Sequence, residues 1–502
     1  MRLPRTDLLL ATTAGVLAPF AFSPFTAAPL MILCAAGLFG SWRIAHTARA
    51  RALCGFLFGL GMFGIGVSWV YISLHRFGDM DRMLAIVLVA LFVMFLALFP
   101  AVIGYLSARL LPPRGMRATL GIPALWVIGE WLRGRLFTGF PWLSFGYSQT
   151  GHILGSFGVY GGVYAVSFAV ALIGSLLAGA VLEMRRRTAA FAVAVTVVIF
   201  IGAFAGSRIS WVRPTGTPIR VALVQGDVSD SLKWGPGELG HIVDRYLRLT
   251  ARAVPGTRVA IWPETAIPEY LSVLEPKVIP KLRRFAARHH MDLLVGLIED
   301  RGARAYNAVA SIRTGHRLRL YRKRHLVPFG EYLPWPHVLS PLLDYLHIPM
   351  SGLNAWHGTE APLPADGQEL GVSICYEDVF GRDVRRLLPA ATVLVNVSDD
   401  GWYGHSVARY QHLQIARMRA IENGRFMLSD TNDGVTAVID KNGRVLKRLP
   451  SFKPAVLSAS VQPYSGRTPY VRFGSGPTVA LSILTVLLAR TRWPVRRSKT
   501  AG

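Results

Sequence analysis

Three cysteines in 502 residues cannot build a disulfide framework, and only Cys375 lies outside the N-terminal part. Acidic residues are scarce too, 29 against 55 Lys+Arg, and just five of them (Asp7, Asp79, Asp81, Glu130, Glu183) fall outside residues 215–465. A segment so poor in charge is not an ordinary soluble domain. With 52% hydrophobic residues and a mean hydropathy of +0.37, the chain divides into a lipid-soluble part and a water-soluble one. The missing acid leaves a net charge of +26, which raises the question of nucleic acid. No zinc-finger spacing or RNA-binding signature accompanies that charge, so no nucleic-acid partner is expected. Much of the excess instead sits in clusters beside apolar runs: Arg43, Arg49 and Arg51; Arg109, Arg114 and Arg117; Arg185 to Arg187; and Arg490 to Lys499.

Those runs have the length of membrane spans, roughly 20 apolar residues each. Spans are expected at about 7–24, 26–42, 52–74, 83–108, 118–134, 157–182, 189–208 and 474–490. Pro19, Pro24 and Pro29 blur the first two, and Arg2 and Arg5 before an apolar core also fit a cleaved signal peptide. With the N-terminus inside, the loops after the second, fourth and sixth spans are cytoplasmic and carry the arginine clusters, as basic loops do. Eight spans then place both termini in the cytoplasm and the polar part outside, in a bacterial cell the periplasm. The expected organisation is a helical membrane bundle over 1–212, a polar domain over 213–468, and a last span with a basic tail over 469–502. Glu130 and Arg133 form the one close acid–base pair near a span, read as a structural pair at a helix end.

The polar part alternates short apolar runs with helical patterns. "IRVALVQGDV" (219–228), "RVAIWPET" (258–265), "DLLVGLIED" (292–300), "LGVSICYED" (370–378) and "ATVLVNVSDD" (391–400) read as buried strands ending in polar residues. "PKVIPKLRRFAARHH" (276–290) and "SVARYQHLQIARMRAIENGR" (406–425) read as helices, and "GVTAVIDKNGRVLKRL" as a hairpin turning at Asn442-Gly443. Such alternation predicts an α/β layered sandwich, with sites at the carboxyl ends of strands.

Cys34 and Cys54 fall in expected spans and read as small apolar packers. Cys375 has no disulfide partner in its domain, and an exported thiol is a liability unless it is buried or used. A thiolate nucleophile needs a base and a positive group for the oxyanion. Glu264, ending the strand in "AIWPETAIPEY", is a candidate base whose pKa burial would raise; Lys323, in "LYRKRHLVPFGEYLP", is a candidate cation. Neither is distinctive alone. No metal is expected: His289, His290, His405 and His412 lack zinc-site spacing and read as surface or packing residues.

Taken together, "WPETAIP", "YRKRHLVPFGEYLP", "SICYEDVF" and "NVSDDGWYG", in this order, resemble the nitrilase (carbon–nitrogen hydrolase) superfamily. Joined to the spans, and with "KRHLVPFGEYLP" and "TGFPWLSFGYSQT", the chain resembles its membrane-bound branch, the apolipoprotein N-acyltransferase family. That resemblance implies an αββα sandwich and a triad of Glu264 as base, Lys323 as oxyanion cation and Cys375 as nucleophile. Glu331 matches a supporting carboxylate, and Tyr376 and Glu377 match positions beside the nucleophile. It implies a cofactor-free enzyme, expected as a monomer, that moves an acyl chain from a phospholipid of the surrounding membrane to the α-amino group of a diacylated apolipoprotein through a thioester. Two departures stand out: Asp399 where the family usually has Asn, and the acidic "DTNDG" (430–434). Residues 341–356 are a candidate lid. The competing readings are a membrane-anchored amidase using the same triad, and a transporter or scaffold that leaves the triad idle.

Overall fold

The computed structural model describes residues 5–332 and 352–490. Most of the candidate lid therefore lies outside the described residues. The N-terminal part is helical: α1 (Thr6–Leu17), α2 (Ala28–Ile44), α3 (Ala48–Gly66), α4 (Arg82–Leu110), α5 (Met116–Arg133), α6 (Val163–Glu183) and α7 (Arg186–Ser207). By length and composition α3, α4, α6 and α7 can cross a bilayer; α1 and α2 are shorter apolar helices. Helix α5 carries Arg117, Glu130 and Arg133 and is not among the four. The helices approach through small residues. A Cβ on Gly55 of α3 would stand 2.1 Å from the Pro100 carbonyl oxygen of α4, and one on Gly104 2.4 Å from that of Arg51. Cys34 and Cys54 are buried on α2 and α3.

Glu130 and Arg133 stand in the last turn of α5, at a helix end as expected. Both are buried, and each bonds to other groups. Glu130 accepts from Trp126 Nε1 (2.9 Å) and the Phe145 N–H (2.8 Å), while Arg133 donates to the carbonyls of Phe140 (2.7 Å) and Trp142 (2.6 Å). They shape the segment "GFPWLSF" (139–145), because buried charges hold backbone dipoles when water is absent.

The polar part folds as two six-stranded sheets face to face. The first joins β2 (Ile219–Gln225), β3 (Val259–Ile261), β4 (Asp292–Arg301), β5 (Arg304–Ile312) and β6 (Arg319–Arg322), with β13 (Ala455–Val461) outside β2. The second runs from β7 (Leu363–Ala365) through β8 (Gln368–Ile374), β9 (Val393–Ser398), β10 (Met427–Thr431) and β11 (Ala437–Ile439) to β12 (Val445–Arg448). A two-residue-period pattern explains the layers. Ile219, Val221 and Leu223 meet Val372, Ile374 and Val395 between the sheets, whereas Ala222 and Val224 face α8 (Leu239–Ala251) and α9 (Val278–Arg288). Helices cover the outer faces, so the expected αββα sandwich is present. A short pair, β1 (Val212–Pro214) with β14 (Tyr464–Gly466), closes its base.

Helix α10 (Ala408–Asn423) fastens the sandwich to the helical part. Leu413, Ala416 and Ala420 enter the sheet core, and Ile415, Met418 and Ile421 enter the bundle core. The polar side chains between are bonded across the junction. Gln411 accepts from Trp142 Nε1 (2.7 Å) and Trp69 Nε1 (3.2 Å), Gln414 accepts from the Ser23 N–H (3.1 Å), and Glu422 accepts from the Val163 N–H (2.8 Å). A last apolar helix, α11 (Gly476–Ala489), returns to the bundle and packs on α5.

Candidate active site

Strands β2, β3 and β4 are parallel, as are β8, β9 and β10, so several strand ends open on the same edges. Glu264 follows β3, Lys323 follows β6, Cys375 follows β8 and Asp399 follows β9. The entry to Glu264 is fixed by its predecessors. Trp262 is fully buried against Tyr246 (centroids 4.9 Å) and donates to Thr250 Oγ1 (3.0 Å). Gly296 of β4 lets the chain pass close, since a Cβ there would stand 2.1 Å from the Pro263 carbonyl oxygen.

Lys323 is 1% exposed and bridges two carboxylates: its Nζ lies 2.9 Å from Glu264 Oε1 and 2.8 Å from Glu331 Oε1. Asn307 Nδ2 donates to the same Glu264 oxygen (2.7 Å) and, at 3.4 Å, to Glu331. The other Glu264 oxygen accepts the Asp399 backbone N–H (3.1 Å). Glu331 is held in turn by the Val327 N–H (2.8 Å). Burial disfavours the Lys323 ammonium, but Glu264, Glu331 and Cys375 outweigh it and keep the lysine well above its ordinary pKa.

The expected direction for Glu264 is overturned. Burial does push its carboxyl up, but Lys323, with help from Lys233 and Asn307, prevails and holds it below the usual carboxylate range. At rest Glu264 is therefore ionised and paired with Lys323, a carboxylate free of its proton but only weakly basic. Cys375 behaves oppositely. Burial and then Glu264 push its thiol well above the ordinary value, with Lys323 pulling the other way, so at neutral pH it is a thiol. The electrostatic influence of Glu264, Lys323 and Glu331 on one sulfur brings together the residues the sequence had left far apart.

Cys375 opens a short 3-10 turn with φ 50°, a left-handed value that costs a non-glycine residue about 1–3 kcal/mol. Glu377 holds the turn. One of its oxygens accepts the Ile374 N–H (2.7 Å) and the Tyr321 hydroxyl (2.9 Å), the other the N–H groups of Arg324 (2.7 Å) and His325 (3.3 Å). Only the carboxylate accepts all four. Burial nevertheless pushes its pKa up to about 7, against those donors. A raised carboxylate pKa means that the folded state binds the proton more tightly. Its stabilisation is greatest below the ordinary value of about 4.3 and is lost as pH rises through about 7, while the four-donor geometry needs the ionised form. Activity is therefore expected to fall as pH drops below about 7. Glu377→Gln should abolish that acid limb and lower kcat/KM by about 10- to 100-fold at higher pH, read from a pH–rate profile.

Tyr376 points the turn at the helical part: its hydroxyl donates to the Gly139 carbonyl (3.0 Å), inside the segment organised by Glu130 and Arg133. His412 is not a surface residue. It is buried between Asp378 (Nε2 to Oδ1, 3.1 Å) and Asp400 (Nδ1 to Oδ1, 3.0 Å), and those carboxylates overcome its burial and raise its pKa well above normal. His405 stacks on Phe452.

Asn307 and Lys233 were not among the residues expected at the site. A polar residue within the apolar run of β5 was the available signal for Asn307. Lys233 explains the Asp399 departure, because the two form a buried ion pair while Lys233 also donates to the Glu264 carbonyl (3.4 Å). The bond to the Glu264 carboxylate comes from the Asp399 backbone. Asp399→Asn is thus expected to lower stability by about 1–3 kcal/mol, measured by denaturant unfolding, with kcat falling less than about tenfold. In "DTNDG", Asp433 is pushed up to about 9 by burial and by Asp399 and Asp400, so it is neutral near pH 7.

A two-sheet sandwich with carboxylate, lysine and cysteine gathered at its strand ends is the architecture of a carbon–nitrogen hydrolase, and the family model of that name matches residues 220–470. The model for the apolipoprotein N-acyltransferase N-terminal domain matches residues 14–176. The apolipoprotein N-acyltransferase of Methylococcus capsulatus is 44% identical over 97% of this chain and 96% of its own. That of Nitrosomonas europaea is 41% identical over 96% of each. The Saccharomyces cerevisiae Nit3 crystal structure aligns with 51% of this chain and 93% of its own, at 18% identity and a TM-score of 0.39. The chain belongs to the apolipoprotein N-acyltransferase family, a family of membrane-associated acyltransferases.

Proposed function

We propose that the protein transfers a fatty acyl chain from a phospholipid to the N-terminal α-amino group of S-diacylglyceryl-cysteine apolipoproteins, using Cys375, Lys323 and Glu264 as the reacting groups. The observation that carries this reading is the bond from the turn of Cys375 to the helical part, through Tyr376 and Gly139. It sets the thiol at the end of apolar helices rather than over open solvent. Both substrates are anchored by acyl chains, and withdrawing one from a bilayer costs about 0.8 kcal/mol per CH₂. A thiol fixed at the membrane surface avoids that cost.

In the first step the sulfur attacks the ester carbonyl of the phospholipid as its proton passes to Glu264. Lys323 faces the oxyanion of the tetrahedral intermediate. Collapse expels the lysophospholipid alkoxide, which takes the proton from Glu264, and leaves a thioester on Cys375. The amine of the apolipoprotein then attacks that thioester and gives a proton to Glu264; collapse forms the amide and expels the Cys375 thiolate, which takes that proton back from Glu264. As the sulfur forms its bond to carbon, proton uptake by Glu264 relieves the crowding of negative charge around Lys323. Glu331 and Asn307 keep Lys323 in place throughout.

The topology that supports this chemistry has eight spans, domains divided at about 212 and 468, both termini in the cytoplasm and the sandwich in the periplasm against the inner membrane. The test is intact-mass analysis of the purified protein. Incubation with phospholipid should add one acyl group to Cys375, and a diacylated lipopeptide should then discharge it and gain an amide-linked chain. Absence of the adduct, with release of ammonia from small amides, would establish hydrolysis instead.

A further inference from the structure

A cavity lies at Arg324 and His325, the residues that directly follow Lys323. It measures about 170 Å³ and its walls are strongly basic. At about 30 Å³ per water it has room for several waters or one phosphoryl group. Arg324, Arg382 and Arg386 contribute three guanidinium groups, against the single carboxylate of Asp383. That carboxylate is shared, with Arg386 Nη1 at 3.2 Å, His325 Nδ1 at 3.4 Å and Arg382 Nε at 3.7 Å. Four nitrogens on the lining residues have no hydrogen-bond partner: Arg324 Nε, Arg382 Nε, His325 Nε2 and Trp356 Nε1. Three of these are N–H donors in any state, and His325 Nε2 is one whenever it carries the ring proton. Buried donors without acceptors are costly, and several around one polar cavity mark a place made for an anion.

Its position ties it to the reaction. Arg324 and His325 directly follow Lys323, and their N–H groups bond Glu377 beneath Cys375. Trp356 is paired to Lys323 itself, N–H to carbonyl, at 2.9 Å. His325 lies flat on Phe380 (centroids 3.7 Å), five residues beyond the thiol. Arg382 also lines a smaller cavity shared with Arg135 and Tyr164 of the helical part, so the basic cavity adjoins the junction with the membrane helices.

We infer that this cavity is the subsite for the headgroup phosphate of the acyl donor, with Arg382 and Arg324 as its principal charged contacts. The inference rests on the phospholipid reading of the thiol site. In a glycerophospholipid only the glycerol carbons separate the phosphate from the sn-1 ester. A phosphate held beside His325 therefore orients that ester from the segment that carries Lys323 and bonds Glu377 in the Cys375 turn. The guanidinium fork matches phosphate oxygens in geometry as well as charge.

The test uses the full-length protein in detergent and the rate of Cys375 acylation from two donors, a phospholipid and an uncharged activated ester without phosphate. Arg382→Gln is expected to raise KM for the phospholipid about tenfold, the effect of one charge-assisted contact, while turnover of the uncharged ester changes less than twofold. Arg382→Lys, which keeps the charge, should recover part of the affinity. Inorganic phosphate at millimolar concentration should slow acylation by phospholipid and leave the uncharged ester unaffected. Equal loss on both donors in Arg382→Gln would overturn the subsite. So would phosphate binding without any change in phospholipid KM, since the cavity would then take a free anion rather than a lipid. Failure of wild-type Cys375 to acylate from any phospholipid would instead overturn the donor assignment itself.

Discussion

Lys323→Met is expected to cut the rate of Cys375 acylation by about 10³-fold or more and to lower stability at the same time. The methionine fills much of the same volume but leaves Glu264 and Glu331 facing one another with Asn307 as their common donor. Two carboxylates sharing a buried site cannot both stay ionised, so one takes up a proton and its pKa rises. Removing one partner from a buried ion pair typically costs about 3–5 kcal/mol, and that protonation limits the loss here. The rate suffers separately, because nothing then faces the developing oxyanion. Lys323→Met combined with Glu331→Gln separates the two effects. Relief of the carboxylate crowding should recover most of the melting temperature and little of the rate. Single-turnover acylation and thermal unfolding are the measurements, and a single mutant within tenfold of wild type would remove Lys323 from the chemistry.

Much of this arrangement is legible in residue order, and the illegible parts have physical reasons. The strands around Glu264, Cys375 and Asp399 are short apolar runs that stop at polar residues, a pattern that survives without any tertiary knowledge. β10 is harder to read: "MLSDT" is only five residues and carries Asp430, whose buried carboxyl is pushed well above its normal pKa inside the sheet. The polar face of α10 suggests solvent, yet His412, Gln411 and Glu422 are all buried where the sandwich meets the helices. Periodicity says that a face is polar and not what it meets. The error over Glu264 is of the same kind. Burial could be foreseen from a strand end, but the sign of its effect depended on how tightly Lys323 would close on it, a distance that sequence does not contain. The pairing of Lys233 with Asp399 was equally invisible, since 166 positions separate them.

Cys375→Ser should abolish transfer, with a loss of at least about 10⁴-fold, while leaving the fold intact. The substitution exchanges one atom, opens no cavity and keeps the backbone at φ 50°, so the melting temperature should hardly move. The chemistry explains the size of the loss. Glu264, held low by Lys323, is a weak base and can draw a proton only from a donor that is already fairly acidic. A thiol begins near pKa 8.5 and, even raised by burial here, loses its proton far more readily than a hydroxyl. The second half-reaction compounds the difference, because an amine attacks a thioester readily and an oxygen ester slowly. The wild-type adduct should therefore be released by neutral hydroxylamine, and the serine protein should carry no such adduct after the same incubation with phospholipid. A serine variant that acylated and discharged within tenfold of wild type would show that sulfur is not the carrier, and the dense electrostatics around Cys375 would need another purpose.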